Sequence, residues 1–367
     1  MLERLRTYRR DLHRIPELGF DLPRTVEYVE GVLRPLGCGV TYPAKSAVCA
    51  FFDAGKADTL AFRADLDALP VQEATGVAYA SIHPGKMHAC GHDGHTALLL
   101  ALACLAKERL ASLSHNVLLI FQPAEETTGG AKDICESGIL EKYNTACVFG
   151  LHLWPELPKG TLWTRPGPVM AKTGIVQVEI EGKSAHVTRA AQGADALRAG
   201  VEFLHRAYAM AETIPPLSQE RLLKFGLMQS GTTENALSDH TYIRGTMRAF
   251  SAELHRRMHQ ALCDIAATVE GEAGCRLHLS LSEGYPPVVN DAALYARLMA
   301  HLGADAPGLL ASPFLTGEDF SFYQQRVAGV FFFLGTGGGV PLHGAAFDFD
   351  EAVLLTGLGL YERLLAI

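Results

Sequence analysis

Val117-Leu118-Leu119-Ile120-Phe121-Gln122-Pro123-Ala124-Glu125-Glu126 decides the fold. An unbroken apolar run from Val117 to Phe121 suits a strand buried on both faces, because a strand with one wet face alternates. The run stops at a proline, and two carboxylates follow at once. Other stretches repeat the design. Leu60-Ala61-Phe62 leads into Arg63-Ala64-Asp65-Leu66-Asp67, Ala146 to Leu151 leads to His152, and Val330 to Leu334 reaches His343 through a glycine-rich loop. A helix-like stretch, Thr96 to Leu110, lies between two of these runs, so the pattern predicts an α/β sheet. Ligands of open α/β sheets bind beyond the carboxyl ends of the strands, where these acids and histidines stand.

The middle of the chain has another rhythm. From Ile175 to Glu181, the apolar Val176, Val178 and Ile180 alternate with Gln177, Glu179 and Glu181, as in a strand with one buried face. A helix over about 194–211, strands over 223–229 and 240–250, a helix over about 252–270 and a strand over 276–282 follow. The order β-α-β-β-α-β is ferredoxin-like. It predicts a small domain inserted into a larger one, with hinges at Ala171 to Gly174 and Ser282 to Pro287. The expected division is 1–173, first part of the catalytic domain; 174–283, insertion; 284–367, second part. A length of 367 residues also exceeds one ordinary domain.

Hydrophobic residues at 48% and charged residues at 20% fit a soluble globular enzyme. A formal net charge of -8 supplies no basic field for nucleic acid. The longest apolar run, Ala97 to Ala106, falls far short of the ~20 residues of a membrane span. Met1 to Asp11 is charged and helix-like, without the apolar core of a signal peptide. Eight scattered cysteines form no CxxC and no compact disulfide framework. A cytoplasmic protein without membrane or nucleic-acid partners is expected.

The densest chemical signal is MHACGHDGH at 87–95. Cys90 and His92 stand two apart, so a turn could aim both at one centre, and thiolate with imidazole suits zinc and other borderline metals. The same stretch also reads as a polar helix start with Asp93 as cap beside a buried cysteine. His88 and His95 are expected to support or pack. Glu125 and Glu126 repel each other unless positive charge lies close. A metal resolves the conflict, with one carboxylate binding it and the other taking a proton from water. A solvated acidic loop is the plain alternative. Gly129 and Gly130 permit close backbone approach. His152 and His343 gain their weight from position alone. Asp65 and Asp67 could orient a ligand histidine, or Asp67 could only cap the turn before Pro70.

MHACGHDGH, FQPAEE at 121–126, GLH at 150–152 and GEDF at 317–320 together resemble the hippurate hydrolase branch of the M20 metallopeptidases. That branch includes N-acyl-L-amino acid amidohydrolases, N-acetyldiaminopimelate deacetylases and plant auxin-conjugate hydrolases. HRIPELGF at 13–20, FRADLDALP at 62–70 and RGTMRAF at 244–250 extend the match, in order, over nearly the whole chain. The resemblance implies an α/β zinc-peptidase-like catalytic domain, its mixed sheet flanked by helices, with an inserted ferredoxin-like α+β lid or dimerisation domain. It implies Cys90, His92, Glu126, His152 and His343 as ligands of two divalent metal ions (zinc, manganese, cobalt or nickel) and Glu125 as general acid/base. GKSAH at 182–186 matches the lid motif whose histidine polarises the scissile carbonyl, which implies that role for His186. Asn235 and Arg248 match lid positions that contact substrate. Arg248 would hold a carboxylate, or would only brace a strand.

The implied reaction is metal-dependent hydrolysis of the amide bond of N-acyl-L-amino acids, of the hippurate, N-acetyl amino acid or N-acetyldiaminopimelate type. It would release a carboxylic acid and a free amino acid, in a homodimer joined through the inserted domain. One run departs from the resemblance. Many relatives follow the lid histidine with a small residue and then proline, where this chain has Val187 and Thr188. Three rivals remain: a carboxypeptidase or dipeptidase of the same fold, a thiol hydrolase with Cys90 as nucleophile and His92 as base, and a non-catalytic metal- or amino-acid-binding module. Glu125 argues against the last, because binding alone does not need a second carboxylate beside Glu126.

Overall fold

The continuous apolar runs become strands of one eight-stranded sheet in the computed structural model, which describes residues 1–217 and 220–367. From edge to edge the strands are Gly39–Thr41, Val48–Phe52, Asn116–Gln122, Thr59–Asp65, Thr145–Trp154, Ala328–Gly335, Leu162–Thr164 and Gly308–Leu309. The four strands Asn116–Gln122, Thr59–Asp65, Thr145–Trp154 and Ala328–Gly335 run parallel. Antiparallel neighbours flank them, so the sheet is mixed. Thr59–Asp65 and Asn116–Gln122 are buried at every position, which is why neither alternates.

Two elements run further than their hydrophobicity suggests. The helix His92–Glu108 starts four residues before Thr96, because His92 to His95 are buried polar groups that an apolar period cannot register. The strand Thr145–Trp154 continues past His152, held by pairing of His152 with Phe333 and of Trp154 with Gly335. His152 therefore lies inside a strand and not beyond its end.

The chain divides into two compact units, the larger comprising Met1–Val169, Val289–Ser312 and Asp319–Ile367, the smaller Met170–Val288 and Pro313–Glu318. The smaller unit thus takes residues 284–288 and 313–318 from the segment that the sequence placed in the second catalytic part. Ala171 N donates to Thr316 O at 2.9 Å, and Met170 bridges Phe314. Its elements are Lys172–Glu181, Ala196–Thr213, Arg221–Ser230, His240–Ala249, Ala252–Ala273 and Arg276–Leu281. The antiparallel sheet has the order Arg276–Leu281, Lys172–Glu181, His240–Ala249, Arg221–Ser230. Val176, Val178 and Ile180 bury one face against Phe203 and Leu262 of the two helices. Side chains of that size contribute ~1.5–3 kcal/mol each. Asp195 and Ser251 cap those helices by accepting from Arg198 N and Leu254 N, both at 3.1 Å.

In the larger unit, HRIPELGF is architecture. Glu17 accepts from Arg24 N at 3.2 Å and Thr25 N at 2.9 Å, satisfying open donors at the start of helix Pro23–Leu33, whose N-cap Leu22 offers none. The Glu17 carbonyl accepts from Ala68 N at 2.8 Å, which pins the loop that carries Asp67 just beyond strand Thr59–Asp65. Among the described residues no helix is long and apolar enough to cross a membrane.

Candidate metal centre

Cys90, His92, Glu125, Glu126, His152 and His343 meet in the larger unit as overlapping triads. Ligand atoms of Cys90, His92 and His152 lie within 4.8 Å of one another, as do those of Cys90, Glu126 and His343 and those of His92, Glu125 and Glu126. Cys90 is common to the first two and His92 to the first and third, so the six residues form one cluster.

Backbone geometry aims them. Gly91 sits between Cys90 and His92 at φ 83, and a Cβ there would lie 2.9 Å from Leu153 Cδ1, so only glycine makes this turn. At Gly130 a Cβ would stand 2.1 Å from the Pro123 carbonyl oxygen, the close approach the sequence foresees. Ala124, just before Glu125, and His343 are non-glycine residues at φ 60 and 66. Each costs ~1–2 kcal/mol, and strain of this kind collects at functional sites. His343 N donates to Ala89 O at 2.8 Å, which brings the late loop to the cysteine.

Hydrogen bonds fix the ring nitrogens. His92 Nδ1 donates to the Asp67 carbonyl at 2.8 Å, leaving Nε2 buried with no hydrogen-bond partner among the described residues, 3.7 Å from Asp65 and 3.9 Å from Glu126. His152 Nδ1 donates to the Leu153 carbonyl at 2.7 Å and turns Nε2 toward Cys90 Sγ at 3.5 Å. Glu126 Oε1 is buried without a properly oriented donor, although His343 Nε2 stands 3.1 Å away. His95 differs. Its Nε2 accepts from Leu153 N at 2.9 Å, so its Nδ1 carries the proton donated to Asp65 at 2.6 Å. With both nitrogens occupied, His95 is no ligand. It clamps the Leu153 residue whose carbonyl sets the His152 tautomer.

The charge balance asks for a cation. Burial pulls the His92 pKa down, but Asp65, Asp67 and Glu126 outweigh it and hold it up at about 10. Burial, with Glu126 and Glu125, pushes the Cys90 thiol well above its usual range. Burial, with His95 beside it, drops His152 to about 3, which keeps its imidazole neutral. A buried thiol among carboxylates is not an activated nucleophile, so the thiol-hydrolase reading loses its footing. Unpartnered His92 Nε2 and Glu126 Oε1, a neutral imidazole and a thiol that ionises only beside positive charge form a donor set that fits a divalent metal.

The two aspartates correct the sequence reading in detail. Asp67 orients His92 chiefly through its backbone carbonyl, with its carboxylate 3.8 Å from the same ring nitrogen. That carboxylate accepts from Glu125 N at 2.9 Å and Glu126 N at 3.2 Å, gripping the carboxylate pair by its backbone. Asp65 also orients a histidine, but that histidine is His95, and its second oxygen takes Arg63 at 2.8 Å. Arg63 also donates to Gln122 at 2.8 Å and to Asp319 at 2.6 Å, a buried network that no local spacing announces.

Asp93 is not the helix cap either, for Gly91 occupies that position. Its Oδ2 accepts from Arg9 Nε and His13 Nδ1, both at 2.8 Å, and ties the N-terminal helix Leu2–His13 to the start of His92–Glu108. Burial opposes charge on His13, but Asp93 and Glu73 outweigh it and raise its pKa. A raised histidine stabilises the fold fully below its unfolded value of ~6.5, and the contribution is lost as pH rises through the folded value. Thermal stability is therefore expected to fall on the alkaline side of about pH 6.5, and His13→Gln to flatten that fall. Calorimetry across pH checks it, and an unchanged slope in the variant would reject the assignment.

Three sequence candidates lie in the smaller unit. His186 opens the short 3-10 turn Val187–Gln192, and its backbone bridges Ala236. Val187 N donates to Asn235 O at 3.1 Å, which sets His186 beside Asn235. Arg248 is half-buried and donates to Met247 O at 3.0 Å and to the Thr246 hydroxyl. Among the described residues no acid pairs with Arg248, and burial lowers its pKa.

Comparison with known proteins gives the family and the fold. The profile of peptidase family M20/M25/M40 matches residues 61–367. The chain is 36% identical over 361 residues to N-acetyl-L-cysteine deacetylase of Bacillus subtilis, spanning 96% of this chain and 86% of that protein. It is 32% identical over 367 residues to N-acetyldiaminopimelate deacetylase of Bacillus velezensis, spanning 96% of each. A crystal structure of a Bacillus subtilis protein described as a dinuclear metal-binding peptidase of the M20 family superposes with a TM-score of 0.85 at 30% identity, covering 99% of this chain and 97% of that one.

Proposed function

The chain belongs to peptidase family M20/M25/M40, and from that premise we propose that it is a metal-dependent amidohydrolase of N-acyl-L-amino acids, yielding a carboxylic acid and the free amino acid. One observation carries the reading. Asp67 holds Glu125 and Glu126 side by side next to the unpartnered His92 Nε2, so one carboxylate can serve a cation while the other serves a proton.

Cys90, His92, Glu126, His152 and His343 are the proposed ligands of two divalent ions. Cys90 belongs to two of the triads, so its thiolate would serve the site beside His92 and His152 and also beside Glu126 and His343. Such ions supply Lewis acidity toward an acyl carbonyl and toward water. Glu125 takes the proton of the attacking water and returns it to the leaving amine. His186 donates to the carbonyl oxygen as charge develops there. Arg248, with no acid paired to it among the described residues, is suited to a substrate α-carboxylate, and Asn235 to a polar contact nearby. Turnover of N-acetyl and N-benzoyl amino acids and N-acetyldiaminopimelate should exceed that of dipeptides with a defined metal. The reverse order would favour the dipeptidase rival. Cys90→Ser should lower bound metal per chain, read by elemental analysis; full occupancy would remove Cys90 from the ligand set.

A homodimer through the smaller unit is part of the proposal. Arg221–Ser230 is an edge strand carrying exposed Leu227, and the helix Ala196–Thr213 exposes Leu197 (46%) and Val201 (55%). An open edge beside exposed apolar groups favours pairing with another copy. Sedimentation should give twice the chain mass, and a concentration-independent monomer would refute it. Eight free cysteines suit a reducing, cytoplasmic setting.

A further inference from the structure

We propose that Thr188 is a positioning residue that holds His186 in the tautomer able to donate from Nε2. The inference rests on the reading of His186 as the group that polarises the scissile carbonyl. His186 Nδ1 accepts from the backbone N–H of Thr188 at 3.3 Å, and the Thr188 hydroxyl stands 2.8 Å from the same nitrogen. A backbone N–H can only donate. A proton on Nδ1 would therefore face it head-on, donor against donor. The arrangement that satisfies both contacts leaves Nδ1 bare, with the threonine hydroxyl donating to it, and puts the ring proton on Nε2. The imidazole can then offer an N–H to a developing oxyanion without first changing tautomer.

The backbone around this pair is also fixed. Val187 N donates to Asn235 O at 3.1 Å, Leu237 N to Ala185 O at 2.8 Å, and Arg189 N to His186 O at 2.7 Å. His186 and Thr188 are both exposed, so the two bonds between them hold the ring where packing does not. Proline at this position would have neither the N–H nor the hydroxyl. Thr188 thus supplies both contacts to His186 Nδ1 locally, one from its backbone and one from its side chain.

The test uses the full-length, zinc-loaded enzyme with 15N-labelled histidine, the His186 signals being those missing from H186Q. Long-range 1H–15N correlations should show the Nε2–H tautomer in the parent and in Thr188→Ser. Thr188→Val and Thr188→Pro should show a tautomer mixture and lose kcat by about fivefold, the effect of one hydrogen bond, with KM changed less. An Nδ1–H tautomer in the parent, or parent-like tautomer and kcat in Thr188→Val and Thr188→Pro, would overturn the inference. Parent-like turnover in H186Q would instead overturn the catalytic reading of His186, and the tautomer spectra would still decide what Thr188 does.

Discussion

Glu125→Gln should lower kcat on N-acyl amino acids by about 10²–10⁴-fold while bound metal per chain stays at the parent level. The substitution keeps the shape of the side chain and removes its basicity. It spares the bond from Glu125 N to Asp67, because that donor is backbone. It also spares the triads of Cys90, His92 and His152 and of Cys90, Glu126 and His343, neither of which includes Glu125. Glu126→Gln is the contrasting variant. It weakens a carboxylate that lies 3.1 Å from His343 and 3.9 Å from His92, so metal content should fall together with turnover. Elemental analysis beside steady-state kinetics separates the two. Near-parent turnover in Glu125→Gln would remove Glu125 as the proton carrier, and loss of metal in that variant would make it a ligand.

The contrast between neighbours also marks what the sequence can and cannot reveal. Glu125 and Glu126 were legible because a strand buried on both faces must end where its chain leaves the sheet, and polar pairs at such ends face the cleft. Gly130 was legible because glycine alone tolerates the close approach required there, whereas the positive φ of Gly91 was not read from the sequence. His92 and His95 were told apart by the resemblance and not by their spacing. Residues three apart lie on the same face of a helix, so spacing allows either to be the ligand. The difference lies in Asp65 and Leu153, which occupy both nitrogens of His95 and come from two other strands. Asp93, one residue from His92, turns toward Arg9 and His13, and only the docked N-terminal helix reveals that partner. In the smaller unit, alternation at Val176, Val178 and Ile180 gave the strand directly, whereas residues 313–318 carry no periodic signal that would assign them there.

Arg63→Met should cost about 3–5 kcal/mol of stability, the usual result of removing one partner from a buried ion pair. Arg63 is 2% exposed, and both acids it binds, Asp65 and Asp319, are fully buried. Its Nε and two terminal nitrogens are divided among Gln122, Asp65 and Asp319 at 2.8, 2.8 and 2.6 Å. Methionine fills much of the volume but leaves two carboxylates without their cation. Lysine restores the charge but not the fork, so Arg63→Lys should recover only part of the loss. The damage should reach the metal centre by a defined route. Asp65 holds His95, His95 holds Leu153 N, and the Leu153 carbonyl sets His152 with Nε2 toward Cys90. A loosened Asp65 therefore weakens metal retention as well as the fold. Denaturant midpoints of metal-free parent and variants measure the first effect, and dialysis against a graded chelator measures the second. A parent-like midpoint in Arg63→Met would show that the buried acids are neutralised without the guanidinium, and parent-like metal retention in a destabilised variant would break the proposed route from Asp65 to His152.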